Sequence, residues 1–180
     1  MNIAKIKKRA ASEGMTLIDA AVPRSSADSV VVFRKKCAEN VCGYYDKSWT
    51  CPPAVGSPED CAGQLLGFDK AVIIFRRYEN IDVKDHKMLE HIVRWHQDST
   101  RAVKMMFEEE GVEKLILCEG PCGFCDKCSY PDPCPFPEEQ IPSASGYGID
   151  MEKYLRSNGI EFKFSDNEAT LYGIILYRDG

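Results

Sequence analysis

The sequence has no long hydrophobic run. Its longest apolar stretches, residues 71–75 and 115–118, fall far short of the roughly 18–20 residues that a membrane-spanning helix needs, so no membrane span is expected. It also lacks an excess of charge of one sign. With 23 basic and 28 acidic residues the net charge is -5, which provides no field to draw the chain to nucleic acid or anionic lipid. The first 14 residues carry Lys5, Lys7, Lys8 and Arg9 among single apolar residues and lack the apolar core of a secretory signal, so a cytoplasmic protein is expected. No G-x-S-x-G, Walker A or G-x-G-x-x-G occurs, which leaves nucleophile-elbow, P-loop and dinucleotide-fold chemistry without support. The remaining composition, 44% hydrophobic and 28% charged over 180 residues, is that of a soluble globular chain, and its length predicts a single compact domain over residues 1–180.

Cysteine, by contrast, is abundant, with nine in all. In a chain of this size without a secretory signal, and with C-x2-C spacings, that count points to metal ligation rather than disulfides. Cys122, Cys125, Cys128 and Cys134 follow C-x2-C-x2-C-x5-C, with Pro135 after the last. Two residues between thiolates let the backbone curl around the sulfurs, so that three ligands meet one face of a cubane. The nearest motif is the bacterial ferredoxin run C-x2-C-x2-C-x3-C-P, two residues shorter before its last cysteine. A structural zinc site more often takes two separated pairs. Cys37, Cys42 and Cys51, with Cys61 as a possible fourth, form a looser C-x4-C-x8-C-x9-C group that cluster geometry alone does not account for. Tyr44, Tyr45 and Trp49 stand among these thiols, placed either to shield a cluster from water or to pack the loop. Cys118 ends an apolar run and reads as a buried thiol, the ninth and odd cysteine. In ferredoxins with two clusters the fourth cysteine of the run serves the other cluster, so the division of ligands between the groups stays open.

Along the chain, the pattern predicts a basic helix over residues 3–13, an extended stretch at 16–22, a loop at 23–28 and a strand at 29–33, the last from its β-branched run. The first cysteine loop spans 37–61, and Ser57 and Pro58 within it read as the N-cap and first position of a helix running to Leu66. Residues 70–78 and 113–118 read as buried strands. Between them lies a helical pattern over 82–110, with a break expected near residues 98–100. Strand, helix and strand together predict a right-handed βαβ unit. The second cysteine loop covers 118–142. A helix over 149–157 capped by Gly159, and a β-pair of 160–164 with 170–178, complete the chain. The expected fold is α/β or α+β, a mixed sheet with packed helices and both cysteine loops at one end.

His86, His91 and His96 recur every five residues, about 140° apart around a helix, so they do not share one face. His96 falls on the apolar stripe and reads as a hydrogen-bonded core histidine. Glu108, Glu109 and Glu110 read as a solvated helix end.

Several motifs occur together in order: Cys37-x4-Cys42-Gly-Tyr-Tyr-Asp-Lys-Ser-Trp49-Thr-Cys51-Pro-Pro, Gly120-Pro-Cys122-x2-Cys125-x2-Cys128, Pro133-Cys134-x-Phe-Pro137 and Pro142-Ser-x4-Gly148-Ile-Asp150. Across residues 32–150 the chain resembles the DUF2284 family of predicted metal-binding proteins, which are small, mainly bacterial and archaeal, and frequent in anaerobes. The resemblance implies metal binding, in iron–sulfur form, through Cys37, Cys42, Cys51, Cys122, Cys125, Cys128 and Cys134, with Cys61 a weaker match, and implies no established reaction. Gly43 ahead of Tyr44 and Tyr45, and Ala144, Ser145 and Gly146 after Ser143, depart from the family pattern.

The expected function is therefore an iron–sulfur protein with one or two [4Fe-4S] clusters. It would serve as an electron carrier or as the redox subunit of a larger anaerobic enzyme, with a redox protein partner, and not as an enzyme on its own. If only Cys37, Cys42 and Cys51 hold a cluster, one iron is left free for substrate or a partner's residue. The alternatives are a zinc-stabilised binding module and a thiol-redox or cluster-delivery protein.

Overall fold

A computed structural model describes residues 1–178. Its centre is a sheet of β1 (Thr16–Ala20), β2 (Lys70–Glu79), β3 (Glu113–Cys118), β4 (Phe164–Ser165) and β5 (Glu168–Arg178). The order is β1-β2-β5-β3, with β4 folded back on the start of β5, and every ladder is antiparallel. Helices α1 (Ile3–Ser12), α2 (Ala27–Ala38), α3 (Pro58–Leu66), α4 (His86–Glu109) and α5 (Met151–Ser157) flank it. None of these helices is long and apolar enough to cross a membrane. The result is a mixed α/β fold.

Side chains alternate across the sheet, as a period of two requires. Val72, Ile74, Ile116, Cys118, Ile175 and Tyr177 point to one face and pack with Ile6 of α1 and Val103, Met106 and Phe107 of α4. Ala71, Ile73, Leu117, Tyr172, Ile174 and Leu176 point to the other and pack with Leu65 of α3 and Tyr154 and Leu155 of α5. Both faces are covered, which is why β2, β3 and β5 read as continuous apolar runs rather than alternating ones.

The βαβ unit takes a split form. β2 and β3 run parallel, but β5 lies between them and is antiparallel to both. Gly173 of β5 faces Cys118 in this register. A Cβ there would stand 2.8 Å from the Cys118 sulfur, so only glycine leaves the thiol its place.

Two stretches fold differently from expectation. Residues 29–33 are helical, inside α2. Ser26 caps that helix by accepting from Ser29 N, Asp28 sits in its first turn, and Lys35 and Lys36 complement its C-terminal end. These end effects, worth roughly 1 kcal/mol for the cap alone, override the β-branched run, of which Val30 is buried and Val31 and Val32 are exposed. The second stretch, the expected break at residues 98–100, is absent. The Thr100 hydroxyl donates to the His96 carbonyl at 2.9 Å, a bond a helix accommodates, and α4 continues for 24 residues. The C-terminal β-pair is shorter than expected, because its first strand begins only at Phe164. Glu108, Glu109 and Glu110 are not merely solvated: they pair with Lys114, Arg9 and Lys5.

Candidate metal centre

The first cysteine loop leaves α2 and enters α3, and the second leaves β3 and enters α5. They meet. Ser143 N donates to the Thr50 carbonyl at 2.9 Å, and the two ends of the second loop close on each other where Cys118 N donates to the Pro142 carbonyl at 3.0 Å. Cys122 N donates to Thr50 Oγ1 at 3.0 Å, which ties the start of the four-cysteine run to the neighbour of Cys51. Trp49 Nε1 donates to the Asp132 carbonyl at 2.9 Å, its ring meets Tyr130 edge-on at 5.1 Å, and Tyr130 donates to Asp46 Oδ1 at 2.8 Å. Trp49 is thus a clasp between the loops, whereas Tyr44 is exposed.

Eight candidate ligands fall into two groups and one outlier. Cys37, Cys42 and Cys51 lie within electrostatic reach of one another. Burial pushes the Cys51 thiol up to about 11, and Cys42 and Cys37 add to the rise, while the Ser143 and Thr50 hydroxyls oppose it. Burial also raises Cys37, against a hydrogen bond from Ser145. In the second group, Cys125 feels Cys122, Cys134 and Cys128 in turn, and Arg101 opposes the rise that burial and these neighbours cause. Cys61 is the outlier. It is fully buried in the core under the sheet, where it receives Arg34 Nη2 at 3.2 Å and faces Tyr147. Cys118 is a core thiol, fully buried and pushed up to about 12 by that burial. Among the described residues, no three His, Cys, Asp or Glu side chains close to the spacing of a single metal ion.

The second loop is held by a row of side chains on α4. Arg94 pairs with Asp126 at 2.6 Å, Gln97 donates to the Pro121 carbonyl, and Lys104 donates to the Glu138 carbonyl. Arg101 lies between them, its side chain 8% exposed. Arg101 Nη2 donates to the Cys122 carbonyl at 2.6 Å and to the Cys122 sulfur at 3.1 Å, and its Nε to the Glu139 carbonyl at 3.2 Å. Positions 94, 97, 101 and 104 share one helix face, so the pattern was present in the sequence, where an arginine on the buried side is itself a signal. Arg34 does the same under the first loop, donating to the Gly56 and Gly146 carbonyls at 2.8 Å each. The part Ser143 and Ser145 play is invisible in the sequence, since hydroxyls so far along the chain from Cys51 and Cys37 become their neighbours only through the fold.

A cavity of about 1250 Å³ opens between the loops and α4, lined by Cys42, all four cysteines of the second loop, Glu119 and the three histidines. The histidines do not share a helix face, and the cavity reaches them because it spans several turns of α4. His96 is buried as expected but is not hydrogen-bonded: among the described residues neither ring nitrogen has a partner.

In comparisons with known proteins, the family DUF2284, described as a predicted metal-binding protein, matches residues 26–177. Neither a curated protein nor a solved structure matches the chain.

Proposed function

The chain belongs to the DUF2284 family of predicted metal-binding proteins, and on that premise we propose that it is an iron–sulfur protein carrying one or two [4Fe-4S] clusters. It transfers electrons, alone or as the redox subunit of a larger anaerobic enzyme system in the cytoplasm, and takes a redox protein as partner. Cys122, Cys125, Cys128 and Cys134 would hold one cluster, and Cys37, Cys42 and Cys51 a second. When bound, a cubane supplies reversible storage of one electron at a potential set by the charges and hydrogen bonds around its sulfurs.

The observation that carries this reading is Arg101. Its guanidinium, 8% exposed, pairs with Asp98 at 3.0 Å and Glu139 at 3.7 Å and still directs Nη2 onto the Cys122 sulfur at 3.1 Å, which holds positive charge against a thiol of the four-cysteine group. A thiolate-bound cluster would add negative charge at that sulfur, and each hydrogen bond to sulfur stabilises the more negative, reduced state. Three cysteines in an unbroken C-x2-C-x2-C run also favour a cubane over the paired spacing of structural zinc. The test is the content of iron, zinc and acid-labile sulfide per chain in protein purified without oxygen. About eight iron and eight sulfide are expected for two cubanes, or about four of each for one. Stoichiometric zinc without sulfide would replace this reading with a zinc-stabilised module.

A further inference from the structure

We propose that the end of the cavity between α4 and β5 binds an uncharged heteroaromatic lactam, a ring whose N–H and C=O stand side by side, through His96 and Glu119. The inference goes beyond the iron–sulfur reading and does not rest on it.

His96 is 2% exposed and lines the cavity, yet among the described residues neither ring nitrogen has a partner. Native interiors leave few polar atoms unpaired, so a buried imidazole with two free nitrogens calls for a ligand. Glu119 lines the same cavity and is pinned to β5: its N donates to the Tyr172 carbonyl at 3.3 Å, and its Oε2 accepts from Tyr172 N at 3.0 Å. That leaves Oε1 without a hydrogen bond among the described residues. Apolar side chains flank the pair. Leu89 of α4 and Leu171 of β5 pack in one cluster, Val93 lies 4.0 Å from where a Cβ on Gly120 would stand, and all of them line the cavity. Its volume, about 1250 Å³, exceeds the roughly 300–1,000 Å³ of ordinary small-molecule sites, which leaves room beyond whatever the thiols hold.

The lining selects the class of ligand. Asp46, Glu90, Glu119 and Asp126 on the wall are matched by Lys47, Lys87, Arg94 and Lys127, so no net charge attracts an ion, and burying one beside His96 would be costly. Trp49 meets Tyr130 edge-on at 5.1 Å, and Phe124 meets Phe136 edge-on at 5.2 Å. Both pairs line the cavity, and aromatic walls favour a flat ring. His96, held neutral by its burial, donates through one ring nitrogen and accepts through the other. With the His96 N–H on a carbonyl and Glu119 Oε1 accepting from the adjacent N–H, the two side chains match a lactam edge.

The experiment uses full-length protein purified without oxygen, with its metal in place, and follows ligand binding by ligand-observed NMR at neutral pH. Uracil and lumazine, which carry the edge on a single and on a fused ring, are the probes. Their relative affinity separates a pyrimidine-like from a pteridine-like ligand, and binding of either supports the site. The 1,3-dimethyl forms of both, which lack the N–H, and orotate, which adds a carboxylate to uracil, are expected to bind at least about tenfold more weakly. His96→Leu fills the space without a polar atom and is expected to weaken the parent ring about tenfold. Glu119→Gln keeps an acceptor for Tyr172 N but turns the free oxygen into a donor, and should weaken it by a similar factor. The inference is overturned if neither probe binds, if the dimethyl forms or orotate bind as tightly as the parent rings, or if a folded variant keeps the wild-type affinity. Glu119→Gln carries the test should His96→Leu fail to fold. Iron and sulfide are counted in the same samples, so protein that holds both and binds no ring overturns this inference alone and leaves the iron–sulfur reading intact.

Discussion

His96 lies on the buried stripe of α4 with neither ring nitrogen bonded, and burial, with Arg76 adding to it, lowers its pKa to about 4. Glu119, at the mouth of the second loop, shows the opposite effect: burial raises it to about 7, against a hydrogen bond from Tyr172 N. The signs follow from linkage. His96 is depressed from 6.5, so the stability it permits is present above pH 6.5 and is lost as pH falls towards 4. Glu119 is raised from 4.5, so its contribution is complete below pH 4.5 and is lost as pH rises through 7. The two oppose each other between these limits and flatten the wild-type profile. Replacing His96 by Leu removes one of them. In urea titrations of metal-free protein, His96→Leu should gain on the wild type as pH falls from 6.5 to 4, by up to about 3 kcal/mol for a shift of this size. Parallel profiles for the two proteins would show that His96 takes up a proton without cost.

The docking of α2 depends on a single close approach. Gly148, with φ of 73°, passes so near α2 that a Cβ would lie 2.9 Å from Val30 Cα and 3.1 Å from Val30 N. Backbone cannot retreat as a side chain can, and the left-handed conformation adds strain of order 1 kcal/mol for a non-glycine residue. Gly148→Ala should lower stability by roughly 1–3 kcal/mol and weaken metal retention, because α2 carries Cys37 in its last turn. Thermal unfolding and iron release to a chelator measure the two effects. An unchanged Tm would mean that α2 can shift freely. This contact also explains why α2 was illegible as a helix. Its sequence has a β-branched run and only Val30 buried, so neither propensity nor period marks it, and the partner that fixes it lies more than 100 residues away. Elements whose cause is local were readable. Ser57 and Pro58 start α3, and the apolar runs of β2 and β3 mark strands buried on both faces. The antiparallel pairing was not readable, because continuous apolar composition reports coverage of both faces, here by α4 on one side and α3 and α5 on the other, and says nothing of strand direction. At the site, the thiol spacings were legible and their partners were not. Arg101 and Arg34 reach sulfur across the fold, and Cys61, which continues the first group in sequence, turns into the core.

For the molecule as a whole, the sheet and the cysteine loops are held by different means. The sheet buries Val72, Ile73, Ile74, Ile174, Ile175 and Leu176 completely beneath helices on both faces, enough apolar surface to fold around without metal. The loops have little core of their own. Residues 40–56 and 121–142 rely on isolated bonds such as Asp46 N to the Pro52 carbonyl at 2.9 Å and Asp132 N to the Ser129 carbonyl at 2.9 Å, on the Trp49 clasp, and on the α4 row that includes Arg101. Removing the metal takes away the cross-links between thiols and the negative charge that Arg101 Nη2 faces at Cys122, although Asp98 and Glu139 keep their pairing with Arg101, so the loops should open while the sheet remains. In hydrogen exchange on metal-free protein, amides of 40–56 and 121–142 should lose protection, while those of β2, β3 and β5 keep it, as expected where local opening costs less than global unfolding. Far-UV circular dichroism should change little, since α1, α3 and α5 pack on the sheet and α2 packs on α3 and the 3-10 turn Ala144–Tyr147, outside both stretches. α4 is the exception to watch, because one of its faces packs on the sheet and the other holds the second loop through Gln97, Arg101 and Lys104. If protection collapses throughout β2, β3 and β5 when the metal leaves, metal binding and folding are one event, and the sheet is less self-sufficient than its two buried faces imply.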